Sequence, residues 1–140
     1  AFHMINVKTN NFLQSIESIS LDSFFKDATC KPDLVKIDVE GAELEVLQSF
    51  KEVLVQSKPI ILMEILPVYN KENKQRLIRQ EKIQELLVEC NYSIMRLHKD
   101  RDKINSIEKL ANIEIHSNIE FCEYVCVHES DVNQVFNIQF

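Results

Sequence analysis

The stretch Leu34–Leu47, LVKIDVEGAELEVL, holds the single glycine of the 140-residue chain, Gly41. Average glycine usage is roughly 7%, so the position that keeps the only one is a position where the backbone asks for it. Before it stands DLVKIDV (33–39), a β-rich apolar run with Pro32 on its N-terminal side, the pattern of a strand buried in a parallel sheet. After it, AELEVLQSFKEVLVQS sets Leu44, Leu47, Phe50 and Leu54 at steps of three and four, predicting an amphipathic helix over 42–56. KPIILMEIL then supplies a second buried strand over 59–66. Strand, helix and strand at this spacing make a βαβ unit that closes right-handed with parallel strands. Gly41 marks the turn from strand to helix, a turn sharp enough to suit φ > 0.

Upstream, SIESISL (15–21) reads as a short strand, and Ser20 and Asp22 offer capping oxygens to a short helix, SFFKDA, ended by CKPD. The first twelve residues are weakly patterned and predict weak order over 1–12. Downstream, KENKQRLIRQEKIQELLVEC predicts a long polar helix with Leu77, Ile83, Leu86, Leu87 and Cys90 inward. YSIMRLH and IEFCEYVCVHE predict two closing strands that pair antiparallel at a sheet edge, separated by a loop region with a helical piece near SIEKLAN. With no repeat, low-complexity tract or Pro/Gly/Ser linker, the chain reads as one domain over 1–140.

The 16 basic and 22 acidic residues give a net charge of −6, with no Lys/Arg-rich run, which argues against gripping nucleic acid or an anionic membrane. No apolar stretch approaches the roughly 20 residues that span a bilayer, and the N-terminus lacks a signal-peptide pattern. Cys30, Cys90, Cys122 and Cys126 are spaced neither for zinc nor for a disulfide framework, so they read as reduced packing residues of a cytoplasmic protein.

Asp38, Glu40 and Glu43 crowd the turn, and Glu64 ends the next strand. Neighbouring strands lie about 5 Å apart, so these carboxylates can converge. Glu43 and Glu45 have an ordinary explanation in the helix dipole. Asp38 and Glu64 end apolar strands, where unpaired burial raises a carboxyl pKa, so they call for a cation, a metal or ligand donors. Lys36, two residues before Asp38, is on the same side of the strand and serves either as an internal ion-pair partner or as a substrate contact. Asp38 and Glu64 are the catalytic candidates, as a general base or as hard oxygen ligands for Mg²⁺. His98, His116 and His128 fall on edge strands and loops and read as surface residues, as does His3.

PDLVKIDVEGAELEVLQSF, followed by KPIILMEI, resembles the FkbM family of S-adenosylmethionine-dependent methyltransferases, from about residue 16 to 66 and more loosely to the end. ISLDSFF resembles the short strand and Leu-Asp turn upstream of that motif. The resemblance implies an α/β fold: part of a Rossmann-like methyltransferase sheet, with helices on the faces of parallel strands and an antiparallel closing strand pair. LVKIDVEG would be its fourth strand and KPIILMEI its fifth. It implies S-adenosylmethionine as cofactor and O-methylation of a hydroxyl on a sugar or small molecule. Asp38, Glu40 and Gly41 would line the cleft, Glu40 and Gly41 on the cofactor side, with Glu64 facing them. The family's glycine-rich cofactor loop has no counterpart in a chain with one glycine. The chain therefore reads as the carboxyl-terminal half of a methyltransferase domain, inactive alone, with an open sheet edge that invites self-association. Two other readings are a phosphate-accepting receiver, which lacks its adjacent acid pair here, and a non-catalytic acidic α/β interaction module.

Overall fold

A computed structural model describes residues 2–9, 12–101 and 103–136, with side chains between residues 17 and 135. The elements are β1 (Phe2–Thr9), β2 (Phe12–Ile19), α1 (Leu21–Phe25), β3 (Leu34–Ile37), α2 (Glu43–Gln48), α3 (Lys51–Ser57), β4 (Ile60–Glu64), α4 (Lys74–Glu89), β5 (Tyr92–Asp100), β6 (Lys103–Leu110), a 3-10 turn (Ile119–Phe121), β7 (Glu123–His128) and α5 (Val132–Phe136). The two apolar runs around Gly41 pair as parallel neighbours, β3 and β4, with Leu34 opposite Ile60 and Ile37 opposite Met63. The buried strand expected over 33–39 is corrected: among the described residues β3 is an edge strand, buried only at Ile37 with Leu34 exposed. The two strands end a five-stranded sheet of order β3-β4-β7-β5-β6, in which β7 runs antiparallel to both β4 and β5. β5 and β7 are thus the expected antiparallel pair, but β7 lies inside the sheet and β6 forms the edge.

Alternation along the strands sorts side chains into two layers. On one face Ile37, Ile61, Met63, Ile94, Tyr124 and Cys126 pack against Leu44, Leu47, Phe50, Leu54, Ile83 and Leu87 of the helical layer α2–α4. On the other face Met95, Leu97, Val125 and Val127 meet, among the helices of the described residues, only the short α5, through Val132 and Val135, and Ile60, Leu62, Ile104 and Ile107 stay half-buried. Helices on both faces were expected; α2–α4 pack on one face, with α1 adding Leu21 and Phe25 to that cluster, and α5 covers part of the other. All four cysteines are free, and Cys90, Cys122 and Cys126 are buried. Burial pushes the Cys126 thiol up to about 12.

Three further expectations are corrected. The helix expected over 42–56 is two helices, broken at Ser49 and Phe50. The Ser49 carbonyl accepts from Asp22 N–H at 2.7 Å, and the Asp22 carboxylate accepts from Glu52 N–H and Val53 N–H at 3.1 and 3.0 Å. Asp22 therefore caps α3 across the fold, while Ser20 caps α1, accepting from Ser23 N–H. SIEKLAN is not helical: Lys103–Leu110 is a full strand against β5. Ile104 pairs with Lys99 and Ser106 with His98, so Asn105 is an extra residue in the ladder. That bulge puts Ile104 and Ile107, three apart, on one face of the sheet, while Leu110 faces the other; read along the chain, the three-residue steps imitate a helix. Lastly, Phe2–Thr9 and Phe12–Ile19 form an antiparallel hairpin where the weak pattern predicted no element before Ser15; Ala1, Asn10 and Asn11 lie outside the described residues.

Candidate functional site

The βαβ unit brings the ends of β3 and β4 side by side, so the turn after β3 and the residues closing β4 share one rim. In that turn Glu40 and Gly41 both take positive φ, 49° and 106°. A Cβ at Gly41 would meet nothing within 4 Å, so conformation, not crowding, accounts for the glycine. Gly41 N–H donates to Glu43 Oε1 at 2.7 Å, and Gly41 C=O accepts from Arg79 Nη2 at 2.7 Å. Glu43 is buried. Arg79 also donates through Nη1 to Glu45 Oε1 at 2.8 Å, and this partner holds the Glu45 carboxyl below its ordinary range. The turn is clamped from α4 as well as from its own helix.

A cleft of about 320 Å³ opens beside it, walled by Gly41 and Glu43, by Ile65 and Leu66 after β4, and by Arg76 and Arg79 of α4. Glu40 and Gly41, the expected cofactor-side residues, lie at the turn above this cleft, and only Gly41 lines it.

Lys36, Asp38 and Glu64 gather on the opposite face. Lys36 Nζ donates to Asp38 Oδ2 at 2.9 Å, and the pair is solvated, with side chains 71% and 40% exposed. That bond raises the Lys36 pKa. The expected desolvation of Asp38 does not occur, because its strand ends in water. Glu64 is half-buried, and its pKa is raised, first by burial and then by the negative charges of Asp38, Glu40 and Glu123. Glu123 stands directly across from it in the β4–β7 ladder, a like-charge pairing, and is itself bonded to Lys99. Lys36, Glu64, Glu123 and Lys99 line a hollow of about 250 Å³ floored by Leu62, Leu97 and Ile104. Among the described residues no group of three or more His, Cys, Asp or Glu is arranged to hold a metal ion. With Lys36 bonded to Asp38, the arrangement does not support Asp38 and Glu64 as metal ligands.

Sequence reasoning missed Arg79, whose role depends on α4 folding back over the turn; Glu43, which it placed at the turn and assigned to the helix dipole, is buried there and accepts from Gly41 N–H. It also passed over Arg96, the one charge inside the apolar run YSIMRLH, which is buried beside Tyr124 and Phe121. Its position in that run was the available signal. His116, expected at the surface, is half-buried with Nε2 3.5 Å from the Tyr124 hydroxyl. His98 bonds Glu108 at 2.8 Å and His128 bonds Ser130 at 2.8 Å.

Among the described residues no helix is long and apolar enough to cross a membrane. The family model of the Methyltransferase FkbM domain matches residues 5–94, from the first hairpin to the start of β5. No curated protein and no solved structure matches the chain.

Proposed function

The chain belongs to the FkbM methyltransferase domain family, and from that premise we propose that its rim serves S-adenosylmethionine-dependent O-methylation of a hydroxyl on a sugar or other small molecule. The carrying observation is Glu64: a half-buried carboxyl with raised pKa at the end of β4, beside Asp38 and Glu40. Bound S-adenosylmethionine supplies an electrophilic methyl on a sulfonium. The acidic turn of Asp38, Glu40 and Glu64 suits that positive charge. A glycine-rich turn for the adenosine is not among these residues, so the adenosine side would be held by other chemistry or other chain. The order β3-β4-β7-β5, with β7 antiparallel between strands of one direction, supports reading the sheet as the closing half of a Rossmann-like methyltransferase sheet, and is unlike the all-parallel sheet of a receiver.

Within this frame Glu64 takes the proton of the attacking hydroxyl. A carboxylate with a raised pKa is a stronger base than an ordinary one, and general bases contribute about 10²–10⁴-fold. Asp38 would offer its charge to the sulfonium, and Lys36, bonded to Asp38, would orient it or the acceptor. Free cysteines support a cytoplasmic setting. The outer edge of β3 has no partner among the described residues and is the surface for self-association.

Transfer of labelled methyl by the active polypeptide tests the reading. Glu64→Gln lowers turnover about 100-fold or more, and Asp38→Asn also abolishes it while melting stays cooperative, since Asp38 is solvated. Undiminished turnover in both variants removes the rim from the chemistry. Absence of methyl transfer with retained protein-partner binding would favour the acidic interaction module.

A further inference from the structure

A charged side chain seldom enters a core without a close partner, because the lost hydration is not otherwise replaced. Arg96 does so from β5, with its side chain 5% exposed. Its guanidinium carbon lies 5.2 Å from the centroid of Phe121 and 5.8 Å from that of Tyr124. Both are cation–π contacts with the ring, which leave the N–H edge of the planar group to find acceptors elsewhere. Nε and Nη2 on that edge are buried and have no acceptor among the described residues. Glu108, the cross-strand neighbour, reaches only to 4.0 Å from Nη1, and its carboxylate already bonds His98 Nε2 at 2.8 Å.

His116 repeats the pattern. Its Nδ1 is buried without a partner among the described residues. Burial and then the charge of Arg96 hold its pKa below the ordinary value, which keeps the ring neutral near pH 7. The Tyr124 hydroxyl stands 3.5 Å from Nε2 and can donate to it or accept from it, so either ring nitrogen can carry the hydrogen. The two unmatched Arg96 nitrogens are donors, and the His116 Nδ1 joins them when it carries the ring hydrogen, in a positive and mostly dry setting. Acceptor oxygens carrying negative charge would satisfy them.

We propose that Arg96 and His116 form a recessed oxyanion-binding site that takes a carboxylate or phosphate group of a small molecule. Two oxygens of such a group match the side-on fork of Nε and Nη2, a bidentate fit that a lysine cannot offer. The site lies behind the rim cleft. Ile65 and Leu66 line that cleft, Ile65 N–H donates to Cys122 C=O at 2.9 Å, and His116 N–H donates to Val68 C=O at 3.1 Å, so the segment 65–68 is a shared wall. The half-buried Phe121, on a single 3-10 turn, forms the roof, and rotation of its ring opens the way in.

Anion binding is read without any methyl donor, so its failure and the failure of methyl transfer are separate results. The test is titration of the ¹⁵N-labelled chain with inorganic phosphate and, separately, with acetate, at ionic strength held constant by sodium chloride. The Arg96 Nε–H resonance shifts saturably with at least one anion, and the one that saturates tells phosphate from carboxylate recognition. Arg96→Lys weakens that binding about tenfold or more, because the fork is lost. Should Arg96→Lys not fold, the wild-type Nε–H titration decides alone. An Nε–H resonance unmoved by both anions, or affinity unchanged in a folded Arg96→Lys, overturns the site.

Discussion

Two groups of charges sit at the same end of one sheet and live in different media. At β3, Lys36 and Asp38 pair in water, with side chains 71% and 40% exposed. Three strands away on β5, Arg96 is buried, with no acceptor for two of its nitrogens among the described residues. Strand parity makes the difference. Lys36 alternates with the core residue Ile37 and so faces the sparsely covered side, whereas Arg96 alternates with Met95 and Leu97 and so faces the helical layer. Solvent screens the first group, which shapes a local field with little bearing on the fold. Nothing screens the second, so its energy depends on direct contacts.

The largest effect should come from the buried group. Tyr124 is 1% exposed and lies under Arg96. Tyr124→Ala removes a full aromatic side chain and should cost roughly 3–5 kcal/mol in urea unfolding. A loss below about 1 kcal/mol would mean that the two rims are equally wet and that parity does not separate them.

Glu64 lies between the two extremes, half-buried and facing Glu123. Its folded pKa is raised, so the folded state binds the proton more tightly than the unfolded chain and its ionised form is a burden at neutral pH. Glu64→Gln should therefore stabilise the protein at pH 7, by about 0.2–1 kcal/mol if the like-charge pairing dominates. The gain should shrink as pH falls through the raised pKa and vanish below the ordinary carboxylate range. Thermal melting across pH 4–8 checks this; a gain that grows on acidification contradicts the assignment. Higher stability with lower methyl transfer would mark Glu64 as kept for chemistry.

The smallest effect belongs to the solvated pair of Glu45 and Arg79, whose side chains are 57% and 37% exposed. Glu45 has a lowered pKa, so its contribution is present above the unfolded carboxylate value and is lost as pH falls through the folded one. Glu45→Gln should cost less than about 1 kcal/mol, and less still in high salt. A larger, salt-independent loss would show that Arg79 clamps the Gly41 turn mainly through Glu45, and not through its bond to the Gly41 carbonyl.

Local pattern by itself determined the βαβ unit. The apolar runs of β3 and β4, the helical spacing between them and the lone glycine are readable within some thirty residues, because period and backbone conformation are properties of neighbours. The Lys36–Asp38 pairing followed from the same two-residue period. What only the tertiary structure decided depends on groups far apart in the chain. Asp22 meets the start of α3 from 30 residues away and divides one predicted helix into two. Full-length pairing with β5, eased by the Asn105 bulge, makes a strand of residues that space like a helix. β7 enters between β4 and β5, which places Tyr124 beside Arg96 and Glu123 opposite Glu64. Sequence marks such residues as polar, but whether each meets water, a partner or neither is set by which strand arrives next to it, and that choice is made by the packing of the whole sheet.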